Sequence, residues 1–296
     1  MLLYFEDEST SAERLAQAAH LPASMVQRHS FPDGEIKLRL PEVLPEKLVI
    51  FRVLNNPNEK LIELLLAAQT ARSLGARHLT LVAPYLAYMR QDMAFHPGEA
   101  ISQRVVGKFL ADQFDAVITV DPHLHRITSL QQAVPVQDAV VLSGAPLLSD
   151  WIAQRRPMPL LIGPDEESAQ WLAQAAVRHG FDHAVCRKVR HGDSEVDIEL
   201  PAITLKGRQV VLLDDVASTG HSLARAAQLL LAAGAASVDV AVTHALFSGG
   251  AMALLQKAGV GEVWSTDCIT HPSNVVSMAS SMASALAGLQ AVNDKK

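Results

Sequence analysis

The stretch VVLLDDVASTGHS, residues 210–222, decides how the rest of the chain is read. An apolar run makes a buried strand, Asp214 and Asp215 follow at its end, and Ser218, Thr219, Gly220, His221 and Ser222 open a helix. Backbone N–H groups in such a turn, with the helix dipole behind them, form a cradle for a phosphate, and adjacent carboxylates can hydrogen-bond vicinal ribose hydroxyls. The pattern is neither the GxxxxGKS/T nucleotide loop nor GxGxxG. A plain N-capped helix accounts for the serines and threonine but gives no reason for two acids before them.

Working outward, two more apolar strands end in carboxylates: VITVD at Asp121 and LLIGPD at Asp165. Ligands of open parallel sheets bind outside the C-terminal strand ends, where gathered carboxylates suit metal ions or sugar hydroxyls. Short aliphatic runs alternate with longer helical periods, which predicts an α/β fold with mainly parallel sheets flanked by helices. In the N-terminal half, strands are expected at 2–6, 48–54, 78–85 and 116–121. Helices are expected from a capping box at Thr10–Glu13 to about 20, and over 58–74 and 101–113. The second half repeats the scheme. Its strands are expected at 160–165, 209–215, 237–244 and 262–267, with a run at 183–190 that is apolar and then basic. Its helices are expected over 167–179, 220–233 and from about 250, and a last amphipathic helix over 277–292. No linker rich in Pro, Gly or Ser separates the halves. The expected division is a domain over 1–143, joined by the helix 277–292, and a domain over 144–276 that carries the phosphate loop.

Composition narrows the function classes. The 296 residues hold 25 Lys and Arg against 31 Asp and Glu, a net charge of −6, so no global basic field exists to hold nucleic acid or an anionic membrane. Phosphate chemistry must be local. Hydrophobic content of 49% with 19% charged residues belongs to a packed chain rather than a disordered one. Cys186 and Cys268 are too few for a disulfide framework and lack CxxC spacing. The acidic start MLLYFEDEST does not read as a signal peptide, and no apolar stretch is long enough for a membrane span. A soluble, cytoplasmic protein is expected.

The 210–222 stretch resembles the phosphoribosyl-diphosphate binding motif of the type I phosphoribosyltransferases. The segments FPDGE (31–35), PYLAYMRQD (84–92), FHPGEAIS (95–102), TVDPHLHR (119–126) and VTHALFSG (242–249) are similar, in order, to those of the ribose-phosphate diphosphokinase family. FHPGEAIS and DDVASTGHS lie closer to its shorter, archaeal-type forms. The resemblance spans about residues 30–250 and implies two similar phosphoribosyltransferase-like domains. It also implies transfer of the diphosphoryl group of ATP to the 1-hydroxyl of ribose 5-phosphate, releasing AMP.

Roles follow from the same resemblance. Phe31, Asp33 and Glu35 belong to a hairpin that holds adenine and reaches a neighbouring subunit, which implies a homo-oligomer, a dimer or hexamer. Arg90, Gln91 and Asp92 match the positions that meet ATP phosphates and ribose, and a guanidinium fork suits phosphate oxygens. His123 and Asp165 match the positions that hold Mg²⁺ with ATP. Lys188 and Arg190 match the catalytic Lys-x-Arg at the base of a flap, and strand alternation puts both on one face. Asp214, Asp215 and residues 218–222 match the ribose 5-phosphate site.

Read without the resemblance, FPDGE is a β-turn and Lys188 with Arg190 is a basic edge strand. His123 and His125 lack a third and fourth ligand for zinc. Two departures stand out. Glu166-Glu167-Ser168 follows Asp165 where the family has small residues, and His221 stands where Gly is common. The rival readings are a nucleobase phosphoribosyltransferase, for which FPDGE, Arg90-Gln91 and Lys188-x-Arg190 have no role, and a non-catalytic regulatory relative.

Overall fold

A computed structural model describes residues 1–124, 126–191 and 195–293. The chain divides into two units: Met1–Leu142 with Met278–Lys296, and Ser143–Ser277. In chain order the first unit contains β1 (Leu2–Tyr4), α1 (Ser9–Ala18), β2 (Ala23–Met25), β3 (Gln27–Ser30), β4 (Ile36–Arg39), β5 (Lys47–Phe51) and α2 (Pro57–Ser73). It continues with β6 (His78–Ala83), α3 (Ser102–Gln113), β7 (Ala116–Val120), α4 (Leu130–Ala133) and β8 (Asp138–Leu142). Its six-stranded sheet has the order β2-β1-β5-β6-β7-β8 and every pairing is parallel.

The second unit contains α5 (Ala145–Ala153), β9 (Leu160–Gly163), α6 (Ala169–His179), β10 (Asp182–Val185), β11 (Arg187–His191), β12 (Glu195–Glu199) and β13 (Gln209–Ala217). After these come α7 (His221–Ala232), β14 (Ser237–Ala245), α8 (Ala251–Lys257), β15 (Val263–Thr266) and β16 (Asn274–Val276). Its sheet, β10-β9-β13-β14-β15-β16, is again all parallel. The chain then returns to the first unit as α9 (Ala279–Asn293).

Numbered by position in the chain, the strands of both sheets run 2-1-3-4-5-6. Each unit also inserts one antiparallel pair between its second and third sheet strands, β3–β4 in the first and β11–β12 in the second. The FPDGE hairpin and the strand pair that carries Lys188 therefore occupy equivalent places in two copies of one topology.

The central strands β6, β7, β9 and β14 are buried almost throughout, as two-sided coverage of a parallel sheet requires. Helices cover them with small faces. On α2 the buried side chains include Leu64, Ala67, Ala68 and Ala71, one face at helical spacing. Pro57 opens that helix, and Gly75, at φ +101°, follows its end. The α1 capping box is not formed. A 3₁₀ turn at Glu6–Glu8 starts the helix at Ser9, which leaves Thr10 inside it with no side-chain cap. Glu8 is instead drawn into the interior by cations. Among the described residues no helix is long and apolar enough to cross a membrane.

Candidate active site

In the second unit β9 delivers Asp165 through a turn that only glycine permits. A Cβ on Gly163 would fall 2.0 Å from Ser168 Oγ and 2.5 Å from Leu172 Cδ1. With no side chain there, the Ser168 hydroxyl tucks in and donates to the Asp165 carbonyl at 2.6 Å. The Asp165 carboxylate accepts the Glu167 N–H at 3.1 Å and a short bond from the Lys188 ammonium. Lys188 sits on β11 opposite Ile198. Arg190 lies on the same strand, paired with Val196, and its side chain lies outside the described residues.

β13 runs two residues further than its apolar pattern predicts, to Ala217, because its parallel pairing with β14 continues through Val216–His244 and Ala217–Ala245. Asp214 and Asp215 are thus held within a strand rather than on a loop. Asp215 is buried and Asp214 half-buried. Desolvation first, then the neighbouring Asp215 and Asp165 carboxylates, push the Asp214 carboxyl well above the usual carboxylate range. Three acids and one ammonium are therefore electrostatically linked around the ends of β9 and β13.

The phosphate-loop candidate follows directly. Gly220 at φ +76° is the left-handed residue that turns the strand into α7, and its backbone lies against α8, where a Cβ would meet Ala251 Cβ at 3.3 Å. Ser218 and Ser222 are half-buried, while Thr219 and His221 are exposed. The first N–H groups of α7 are the donors that no helix satisfies internally. Phe247 and Ser248 hold the loop from the side, their N–H groups donating to Ala217 O at 2.9 Å and Ser218 O at 3.0 Å. Both departures are accommodated at the surface. Glu166 and Glu167 are exposed, with Arg187 Nε 3.5 Å from Glu166, and His221 is exposed at the first turn of α7.

In the first unit residues 31–35 form the turn between β3 and β4. The Phe31 N–H donates to Glu35 O at 2.7 Å, the Gly34 N–H to Phe31 O at 3.0 Å, and the Glu35 N–H to the Asp33 carboxylate at 3.2 Å. Phe31 is 40% exposed, with the His29 ring edge-on at 4.8 Å. The hairpin is anchored by a network that the sequence does not advertise. Arg28 on β3 meets Glu63 at 2.5 Å, and the same carboxylate makes a short bond to Arg52. Arg52 is 1% exposed and also contacts Asp7 at 2.7 Å and Glu8 at 2.9 Å, with its guanidinium over the Phe5 ring.

Beyond β6, Arg90 is exposed and Gln91 half-buried, its amide 3.5 Å from Glu99. Asp92 is committed to Arg126 at 2.6 Å, so it orients a further guanidinium to which the sequence assigns no role. Glu99 gathers the 95–99 loop, accepting the Phe95 N–H at 2.7 Å and meeting His96 Nδ1 at 2.7 Å. The His96 contact is the main cause of its lowered pKa. His123 follows β7 with φ +54°, and Asp121 before it has φ +37°. Two non-glycine residues in the left-handed region mark a strained strand end of the kind found at functional sites. His125 lies outside the described residues.

Among the described residues no three His, Cys, Asp or Glu side chains are arranged to hold a metal by protein atoms alone. The raised Asp214 carboxyl beside Asp165 and Asp215 nonetheless creates a demand for positive charge, and oxygen donors of this kind suit Mg²⁺, which keeps waters and takes substrate phosphates as ligands.

Residues 1–113 match the family model described as the N-terminal domain of ribose phosphate pyrophosphokinase, and residues 142–279 match the phosphoribosyl transferase domain. The chain is 33% identical over 280 residues to the ribose-phosphate pyrophosphokinase of Methanopyrus kandleri, covering 93% of this chain and 94% of that one. It is 35% identical over 279 residues to ribose-phosphate pyrophosphokinase 1 of Archaeoglobus fulgidus, covering 93% and 95%. The crystal structure of phosphoribosylpyrophosphate synthetase from Mycobacterium smegmatis matches with a TM-score of 0.85 at 24% identity, covering 100% of this chain and 99% of that one. The expected pair of phosphoribosyltransferase-like domains is borne out.

Proposed function

The chain belongs to the ribose-phosphate pyrophosphokinase family, and on that premise we propose that it transfers the β,γ-diphosphoryl group of ATP to the 1-hydroxyl of ribose 5-phosphate, giving 5-phosphoribosyl 1-diphosphate and AMP. The observation that carries this reading is the linked set Asp165, Lys188, Asp214 and Asp215 next to the 218–222 loop. It combines donors for a phosphate, acceptors for ribose hydroxyls and the Lys188 cation.

In this reading the backbone of 218–222, with the Ser218, Thr219 and Ser222 hydroxyls, holds the 5-phosphate at the head of α7. Asp214 and Asp215 accept from the ribose hydroxyls and so orient the 1-hydroxyl. Lys188 leaves Asp165 for the transferring group and, with Arg190, neutralises charge that grows on its non-bridging oxygens. From the first unit, Arg90, Gln91 and the Asp92-oriented Arg126 serve the ATP phosphates and ribose, with His123 nearby in the chain. The tip Phe31–Glu35 supplies an aromatic face for adenine and carboxylates for its amine. Its exposure supports use by a neighbouring copy, hence a homo-oligomer.

Asp165 would hold Mg²⁺ in the second unit, and when bound the ion would supply charge neutralisation on the ATP phosphates. The buried thiols of Cys186 and Cys268, not joined in a disulfide, suit a reducing compartment, in keeping with a cytoplasmic enzyme.

The test is incubation with ATP, Mg²⁺ and ribose 5-phosphate, followed by phosphorus NMR. AMP and phosphoribosyl diphosphate are expected in equal amounts. Absence of both across metals and phosphate concentrations would overturn the reading. With phosphoribosyl diphosphate supplied instead, its consumption and the release of diphosphate only when a nucleobase is present would favour the transferase alternative.

A further inference from the structure

We propose that His271 is a positioning residue for ribose 5-phosphate, acting through Phe247 on the backbone of the 217–220 loop; this rests on the reading of that loop as the 5-phosphate site. The imidazole lies against the Phe247 ring, centroids 5.0 Å apart and planes inclined at 45°. Phe247 in turn sits at φ +31°, a conformation a bulky residue adopts only when its surroundings impose it. That backbone is the piece that meets the loop, with the Phe247 and Ser248 N–H groups donating to the carbonyls of Ala217 and Ser218. The strap 247–248 therefore fixes two successive peptide units just before Gly220, and His271 backs the strained residue that forms it.

The imidazole is itself locked. The Ser273 N–H donates to His271 Nδ1 at 3.1 Å, so that nitrogen carries the lone pair. Ser273 Oγ lies 2.7 Å from the same nitrogen and 2.7 Å from Ser265 Oγ, and the Asn274 amide donates to Ser265 Oγ at 2.9 Å. One direction satisfies the whole chain: Asn274 amide to Ser265 hydroxyl, to Ser273 hydroxyl, to Nδ1. The proton then resides on Nε2, and the ring cannot turn without breaking the relay. Burial lowers the His271 pKa, which keeps the ring neutral against Phe247. The Asn274 amide also reaches Thr266 O at 2.6 Å, so the relay is rooted in β15. The rigidity of the sheet is thereby passed, through one ring contact, to a loop whose own side chains are small and half exposed.

The experiment compares the full-length enzyme with His271→Ala and His271→Phe. An aromatic pair of this kind corresponds to roughly a three- to tenfold effect. His271→Ala should raise KM for ribose 5-phosphate by about that factor while kcat and KM for ATP stay within about twofold. His271→Phe keeps the ring contact but loses the Nδ1 relay, and should restore only part of the affinity. Hydrogen exchange reads the same link without relying on activity: the amides of 247 and 248 should exchange faster in His271→Ala and by an intermediate amount in His271→Phe. Unchanged exchange and unchanged KM in His271→Ala would overturn the proposal. Faster exchange with unchanged KM for ribose 5-phosphate would overturn the assignment of the loop as the 5-phosphate site while leaving the mechanical link intact. Equal rises in both KM values, not rescued by phenylalanine, would mean a general structural role and also overturn it.

Discussion

Replacing Glu63 by glutamine removes one charge from the centre of the first unit without changing its shape, and the consequences can be worked out from the contacts. Glu63 is fully buried and serves two guanidinium groups, Arg52 and Arg28. Arg52 is equally inaccessible, and a hydrogen bond between charged groups in that setting is worth about 1.5–3 kcal/mol. The Arg28 side chain is 41% exposed, so its share is screened to about 1 kcal/mol or less. Arg52 keeps Asp7 at 2.7 Å and Glu8 at 2.9 Å, which holds the total near the lower limit for breaking a buried pair, about 3 kcal/mol. That corresponds to roughly a hundredfold in an opening equilibrium.

Native-state hydrogen exchange is the suitable assay, because the slowest amides of β5 and β6 report opening of this unit. They should exchange about a hundredfold faster in Glu63→Gln. Trp151, Trp171 and Trp264 all lie in the second unit, so native tryptophan emission should be unchanged and serves as the control. An acceleration of less than about threefold in Glu63→Gln would refute the reasoning, since Asp7 and Glu8 would then suffice to neutralise Arg52.

Three further outcomes are expected. Lys188→Ala should lower kcat by about a hundredfold or more, the usual effect of removing one group that stabilises transition-state charge, with KM changed much less; near-normal AMP release would sink the assignment. Gly220→Ala forces a side chain into the left-handed region, at about 1–2 kcal/mol, and against Ala251 at 3.3 Å, so KM for ribose 5-phosphate should rise about tenfold by initial-rate assay. Burial outweighs the pull of Arg52 and Lys60 and raises the Glu8 carboxyl from 4.5 to about 7. The folded state then holds a proton that the unfolded chain has lost between those values, so this group's contribution is full below pH 4.5 and is lost as pH rises to about 7. Urea midpoints measured at pH 5 and pH 7.5 should differ less in Glu8→Gln than in the parent, and an unchanged difference would contradict the assignment.

The strands that escape a reading of apolar runs are instructive. β2, β8 and β16 are all sheet edges, short and partly exposed, and carry no run of buried side chains to betray them. The strands and helices of the two sheet interiors were legible, because burial on both faces imposes long aliphatic runs and helices at 3.6-residue spacing cover them. The α1 start departs from the capping pattern of Thr10 and Glu13 because the pull of Arg52 and Lys60 on Glu8 overrides it.

By itself the sequence determined the class of fold and the chemistry of the phosphate loop, because a double acid followed by Ser-Thr-Gly is local information that a turn and a helix start express unaided. Only the tertiary structure decided which charges are spent on architecture and which are left for substrates. Asp92 is spent on Arg126, Glu63 on two arginines, and Asp165 waits on Lys188 from a strand more than twenty residues away in the chain. The physical reason is that the worth of a charge depends on its desolvation and its partners, and both are set by segments distant in sequence. Phe247 and His271 are the same case in an uncharged form, two rings 24 positions apart that the sheet brings into contact at the loop they support.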